Sequence, residues 1–243
     1  MKLSVVIPAY NEEGSIAATV QTLYDELRRE RIEHEILVIN DNSEDATLAI
    51  LTELAGHIPT LTYYTNAGPN GFGHAVRYGL ERFGGECVAV MMADLCDSPP
   101  DLTRFYRKLL EGYDCVFGSR WGPGGRVVDF TPVKKFINRL ANGIVRLLFG
   151  FQYNDCTNAF KLYRRETMLG LKPFLSPHFN LTLELPLKAI VRGYTYAVLP
   201  NSWTNRQHGE SKLKIKEMGS RYFFIMMYCL IEKFFARGDF RKR

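Results

Sequence analysis

The stretch Cys87–Leu102, CVAVMMADLCDSPPDL, decides how the chain folds. Its first half, CVAVMMAD, is apolar on both faces of an extended strand, the pattern of a strand covered by helices on both sides. It stops at Asp94, a second acid follows at Asp97, and Pro99-Pro100 mark the turn into the next helix. A buried strand has no use for carboxylates at its end, so Asp94 and Asp97 ask for a ligand or a cap.

Upstream the same alternation repeats. LSVVIPAY (residues 3–10) and HEILVIND (34–41) read as buried strands, and LTYYTN (61–66) as a weaker one nearer an edge. Between them, residues 12–29 place Ile16, Val20, Leu23, Tyr24 and Leu27 at helical spacing, and residues 42–57 and 71–84 read as further helices. DCVFGS (114–119) is another strand. Strands buried on both faces with helices between them predict an α/β fold with a parallel sheet covered by helices. In such sheets ligands gather at the carboxyl ends of the strands. Those ends present Pro8, Tyr10 and Glu12, then Asp41, then Ala93, Asp94 and Asp97. An aspartate there can cap the following helix or turn. Alternatively, Asp41 contacts a nucleoside while Asp94 and Asp97 hold a hard divalent cation through oxygen.

The composition narrows the classes. With 243 residues, 46% of them hydrophobic and 23% charged, the chain can bury a substantial core. Five scattered cysteines without a CxxC pair point to buried thiols, and the five histidines lack metal-ligand spacing. The segment GFGHA lacks the Lys-Ser/Thr of a phosphate-binding loop and does not follow the first strand. The start, MKLSVVIPAYNEE, lacks the long apolar core of a signal peptide, so a cytoplasmic location is expected. The net charge of +5 belongs to the tail, because Ser211–Arg243 carries nine Lys or Arg against three acids. YFFIMMYCLI (222–231) is shorter than the roughly 20 residues of a spanning helix. With its basic flanks it reads as an interfacial helix meeting anionic headgroups, or as one that packs on the body or mediates a homodimer. The basic residues do not alternate with aromatics on a strand platform, which argues against nucleic-acid binding.

Taken in order, SVVIPAYNEEGSI, ILVINDNSEDAT, NAGPNGFGHAVRYG, MMADLCDSPPDL and FGSRW resemble successive motifs of the inverting family 2 glycosyltransferases. NDCTNAFKLYRRE, LELPLKAIVRGYTYAVLP and RQHGESKLK resemble later motifs of the branch that glycosylates dolichyl and polyprenyl phosphates. The resemblance implies a GT-A type sandwich over residues 1–214, followed by a basic amphipathic helix and tail over 215–243. It implies a GDP-mannose or UDP-glucose type donor, Mg2+ or Mn2+, and a lipid-phosphate acceptor met by a peripheral enzyme at the cytosolic membrane face. A saccharide or small-molecule acceptor, or a nucleotide-sugar-binding scaffold, are the alternatives.

Carried onto this chain, the resemblance places Pro8, Tyr10, Glu12, Asp41, Ala93 and Asp94 around the nucleotide sugar, with Asp94 on the metal. Met92 stands where the family's first metal aspartate would be, and a thioether is a poor partner for a hard cation. Asp97 or water is then expected to complete the site. Arg120 is implied as a phosphate ligand, and the glycine-rich loop ending near Arg126 as a flexible cover. Arg206 and Lys212 supply a second cationic patch. Asp155 is the family-matched candidate for base or orienting group; Glu184, in an amphipathic segment where a carboxylate can pair with an arginine, is read as an orienting residue narrowly ahead of a structural one. An acceptor that is itself a phosphate needs little help from a base.

Overall fold

The computed structural model describes residues 1–205, 215–236 and 238–242. Strands β1 (Leu3–Ala9), β2 (His34–Asn40), β3 (Leu61–Thr65) and β4 (Cys87–Val90) alternate with helices α1 (Ile16–Arg29), α2 (Thr47–Ala55) and α3 (Phe72–Leu80), and α4 (Pro99–Leu110) follows. The second half adds β5 (Cys115–Ser119), β6 (Arg126–Val128), α5 (Pro132–Phe149), β7 (Lys161–Arg164), α6 (Arg165–Gly170), α7 (Leu181–Val191), β8 (Tyr196–Pro200), β9 (Ser202–Thr204) and α8 (Ile215–Phe235).

Seven strands form one sheet in the order β3-β2-β1-β4-β7-β5-β8, and β6 pairs with β9 in a small second sheet. Pairing in the large sheet is parallel except that β7 runs against both β4 and β5. The fold is therefore α/β with a mainly parallel sheet, and β3 and β8 are its edges. Alternate side chains of each strand feed two cores, as the twofold period of a strand requires. Leu3, Val5 and Ile7 pack with Val20 of α1 and Phe105 of α4, while Val6 and Val88 pack with Val76 of α3 and Leu187 of α7. Gly79 permits the close approach of α3, since a Cβ there would lie 2.5 Å from Val6 Cγ1. All five cysteines are buried.

Element ends differ from the periodicity where side chains cap backbone groups. The strand expected over 87–94 ends at Val90. Beyond it, the Met92 amide donates to Asp97 Oδ2 at 3.2 Å, and Leu95 takes φ 59°, which turns the chain. The helix expected from residue 12 begins at Ile16, after a turn in which the Ser15 and Ile16 amides donate to Glu12 O.

The last helix is fixed to the body. Ile225 and Cys229 enter the core. Arg192, at the end of α7, forks onto Glu232 at 2.6 and 2.9 Å and also donates to Gly170 O and Lys172 O. On its outer side α8 exposes Phe223, Phe224, Met227 and Ile231. Helix α5 exposes Val133, Phe136, Leu140 and Leu147, the last at 84%. Among the described residues no helix is long and apolar enough to cross a membrane. The boundary expected at residue 214 falls at the end of a stretch outside the described residues.

Removing one partner of a buried ion pair strands the other charge. Arg192→Ala is expected to lower unfolding stability by about 3–5 kcal/mol in urea titrations.

Candidate active site

A cleft of about 870 Å³ opens where β1, β2, β4 and β5 end, with α5 and α8 forming its far walls. This is the carboxyl edge of the parallel strands, where chain ends and helix starts leave polar groups to be satisfied. Pro8, Tyr10, Glu12, Asp41, Asp94, Asp97 and Arg120 all line it. The structure thus gathers into one cavity residues lying up to 112 positions apart in the sequence.

The β1 and β2 ends are laced together. The Asn11 amide donates to Ser43 Oγ at 3.0 Å, the Glu12 amide to Thr47 Oγ1 at 2.9 Å, and Asn11 holds φ 52° between them. Asp41 is buried, and each oxygen takes a bond of 2.7 Å, from Asn66 Nδ2 and from the Gly71 amide. Asp41 therefore secures the 66–71 loop as well as facing the cleft.

Asp94 and Asp97 stand on the turn after β4. Asp94 Oδ1 accepts the Cys96 amide at 3.2 Å, and Asp97 takes the Met92 amide. Burial first, and then the neighbouring Asp94 charge, push the Asp97 carboxyl up to about 7. Two buried carboxylates repelling one another on a cavity wall form a hard-oxygen donor set that a divalent cation would relieve. Met92 also lines the cleft, but its thioether adds no hard donor. Among the described residues no group of three or more His, Cys, Asp or Glu could hold a metal. The pair fits an Mg2+-type ion, which takes one or two carboxylates and completes its shell with phosphate and water.

Arg120 and Asp155 make a buried, two-pronged pair. Arg120 Nε and its amide donate to Asp155 Oδ2 at 2.8 and 2.9 Å, and a terminal nitrogen donates to Oδ1 at 2.7 Å. Burial alone would lower the Arg120 guanidinium, but Asp155 outweighs it and raises it above its ordinary value. Arg120 borders the cleft, while Asp155 is 0% exposed and lies behind it.

Other expected residues stand elsewhere. Glu184 does not line the cleft: its oxygens accept the Leu175 and Ser176 amides at 2.8 and 2.7 Å and the Lys188 ammonium at 2.5 Å, so it closes a buried turn. Ala93 lies beneath the wall, its carbonyl held by Thr19 Oγ1 at 2.8 Å. Arg206 and Lys212 lie outside the described residues. The glycine-rich loop expected to be a flexible cover is anchored at its end, since Arg126 begins β6 and its amide donates to Asn201 O at 3.1 Å.

Sequence reading missed much of the far wall. Phe72 and Phe179 stack there at 4.4 Å, and His178, Thr182, Tyr222 and Lys134 border the cleft. Helix α5 was legible in principle, because residues 132–149 carry apolar residues at helical spacing with four Lys or Arg and no acid.

The sheet order with its parallel strand ends and one reversed strand is that of a GT-A-like sandwich. The chain belongs to glycosyl transferase family 2, whose model matches residues 4–169. It is accordingly an inverting glycosyltransferase that uses a nucleoside diphosphate sugar. It is 29% identical over 215 residues to the polyprenol monophosphomannose synthase of Mycolicibacterium smegmatis, covering 86% of this chain and 80% of that one. It is 28% identical over 219 residues to the undecaprenyl-phosphate mannosyltransferase of Micrococcus luteus, covering 88% of each. The glucosyl-3-phosphoglycerate synthase of Mycobacterium tuberculosis, solved with Mn2+, uridine diphosphate and phosphoglyceric acid, shares the fold with a TM-score of 0.70 at 20% identity. That likeness covers 96% of this chain and 78% of the solved one.

Because Asp97 keeps its proton up to about pH 7, a cation binding below that pH must expel it. Calorimetry in buffers of different ionisation enthalpy is expected to show one proton released, with affinity falling about tenfold per pH unit below the pKa and levelling above it.

Proposed function

We propose that the enzyme transfers a hexose from a nucleoside diphosphate sugar to a polyprenyl-type lipid phosphate at an anionic membrane surface on the cytosolic side. The observation that carries this reading is the continuation of the cleft. From Asp94 and Arg120 it runs between α5 and α8 along Ile137, Ala141, Ile144, Tyr222 and Met226. Phe136 and Leu140 of α5 and Phe224 and Met227 of α8 are exposed on the same two helices. A charged end and an apolar run match a phosphate bearing a long hydrocarbon chain. Cations without acids on α5 favour an anionic lipid surface over a second copy, which would bring like charges together.

In this reading the residues share the work as follows. Asp41 and the β1 end receive the nucleoside, as the resemblance of these motifs to the family implies. An Mg2+ or Mn2+ ion held by Asp94 and Asp97 would offset charge building on the departing diphosphate. The acceptor phosphate oxygen attacks the anomeric carbon from the face opposite that diphosphate. The new C–O bond forms as the old one breaks, and the configuration inverts. A phosphate monoester is largely ionised at neutral pH, its second pKa lying near ~6, so no proton need be removed. Arg120 presents fixed positive charge to phosphate oxygens. Asp155, with both oxygens on Arg120, is a positioning residue for it.

A second reading has its own support. The solved synthase of similar fold carries phosphoglyceric acid, and a small phosphorylated acceptor would use the same charged end of the cleft without the apolar run.

The two readings separate in one assay. Purified enzyme with GDP-mannose or UDP-glucose and Mg2+ or Mn2+ is offered polyprenyl phosphate in anionic vesicles, or phosphoglyceric acid in solution. Sugar-labelled lipid is expected. Product from phosphoglyceric acid alone would replace the lipid reading with the second. Asp155→Asn is expected to lower the rate about 100-fold through the loosened Arg120 while keeping the shape of the pH profile. Loss of a pH limb would instead make Asp155 a base.

A further inference from the structure

Lys161 is the first residue of β7 and is buried at 2% exposure. Because β7 runs against its neighbours, its first residue lies opposite Val90, the last residue of β4, and opposite Phe117 in the middle of β5. The ammonium is thus placed under the cleft, between the turn bearing Asp94 and the strand leading to Arg120. It donates to Cys156 O at 3.0 Å, to Thr182 O at 3.1 Å and to Asn158 O. The described residues give it no ion-pair partner. Burial, outweighing the nearby Cys156 and Asp155, pushes this ammonium down to about 7.

The three carbonyls come from two segments. Cys156 and Asn158 belong to the turn that follows Asp155, and Thr182 belongs to the first turn of α7. Thr157, Asn158, Ala159 and Thr182 all line the cleft. An ammonium can donate three hydrogen bonds in a tetrahedral spread, which suits one point shared by two chain segments. A merely space-filling apolar residue would leave three buried carbonyls to find other partners.

We propose that Lys161 is a positioning residue for sugar transfer, tying the Cys156–Ala159 turn to α7 and thereby fixing the acceptor-side wall and, through Asp155, the seat of Arg120. The assignment of this wall to the acceptor rests on the function proposed above. The nucleotide side, built on β1 and β2, lies at the other half of the sheet and does not depend on this tie.

The test compares Lys161→Met with Lys161→Arg, after thermal melting establishes that each folds. Hydrogen exchange reads the tie without any acceptor. Amides of residues 156–160 and 181–184 in Lys161→Met are expected to exchange about tenfold faster, with those of β1 and β2 unchanged. In kinetics with whichever phosphate acceptor the wild type uses, acceptor KM is expected to rise about tenfold while nucleoside diphosphate affinity stays within about twofold. Lys161→Arg, which keeps charged donors, is expected to recover most of that loss. Lys161→Gln, which keeps two N–H donors, replaces the methionine variant if the latter does not fold. Unchanged exchange in the two segments overturns the proposal, as does nucleotide affinity falling in parallel with acceptor KM. A wild type that glycosylates no phosphate acceptor overturns the proposed function, and the exchange comparison still decides the role of Lys161.

Discussion

Arg120, at the border of the cleft, is held by the fully buried Asp155 through three hydrogen bonds, and the centre of the cleft is arranged around that pair. A guanidinium at the end of β5 would otherwise swing to solvent or neutralise the nearest acid. Asp97 is another acid whose charge Arg120 feels. Both oxygens of Asp155 accept from Arg120, which fixes the guanidinium at the border of the cleft. One buried ion pair thereby keeps two opposite charges apart within the same cavity.

That separation depends on the reversal of β7. A fully parallel sheet would send Asp155 and Lys161 to the opposite edge, far from the loops that bind. Running antiparallel between β4 and β5 brings the start of β7, and the turn just before it, to the carboxyl edge of its neighbours. One half of the cleft is then made of strand ends and the other half of the turn feeding a strand. Helices α5 and α8 complete the second half, and the Arg192–Glu232 pair keeps α8 against α7.

Much of the site was legible because strand ends are legible. Asp41, Asp94 and Asp97 follow apolar runs, so their position at one edge follows from the alternation of strands and helices alone. Glu184 shows why an acid on an apolar helix is hard to read: it satisfies two backbone amides and Lys188, contacts that the sequence does not display. Met92 was an evident departure from a two-aspartate motif, but only the fold shows Asp97 returning beside Asp94. Lys161 gave no signal, since a lysine opening a short strand looks like a surface residue until its three carbonyl partners are seen.

The amino-acid sequence by itself determined the parallel α/β scaffold, the edge at which ligands collect and the family motifs, because periodicity and strand-end chemistry are local properties. Tertiary structure decided which acids face the cavity, which are consumed by buried cations, and where the apolar walls of α5 and α8 meet. Those outcomes depend on contacts between residues such as Arg120 and Asp155, or Lys161 and Thr182, that are distant in the chain. Burial converts each such contact from a weak exposed interaction into a geometric constraint.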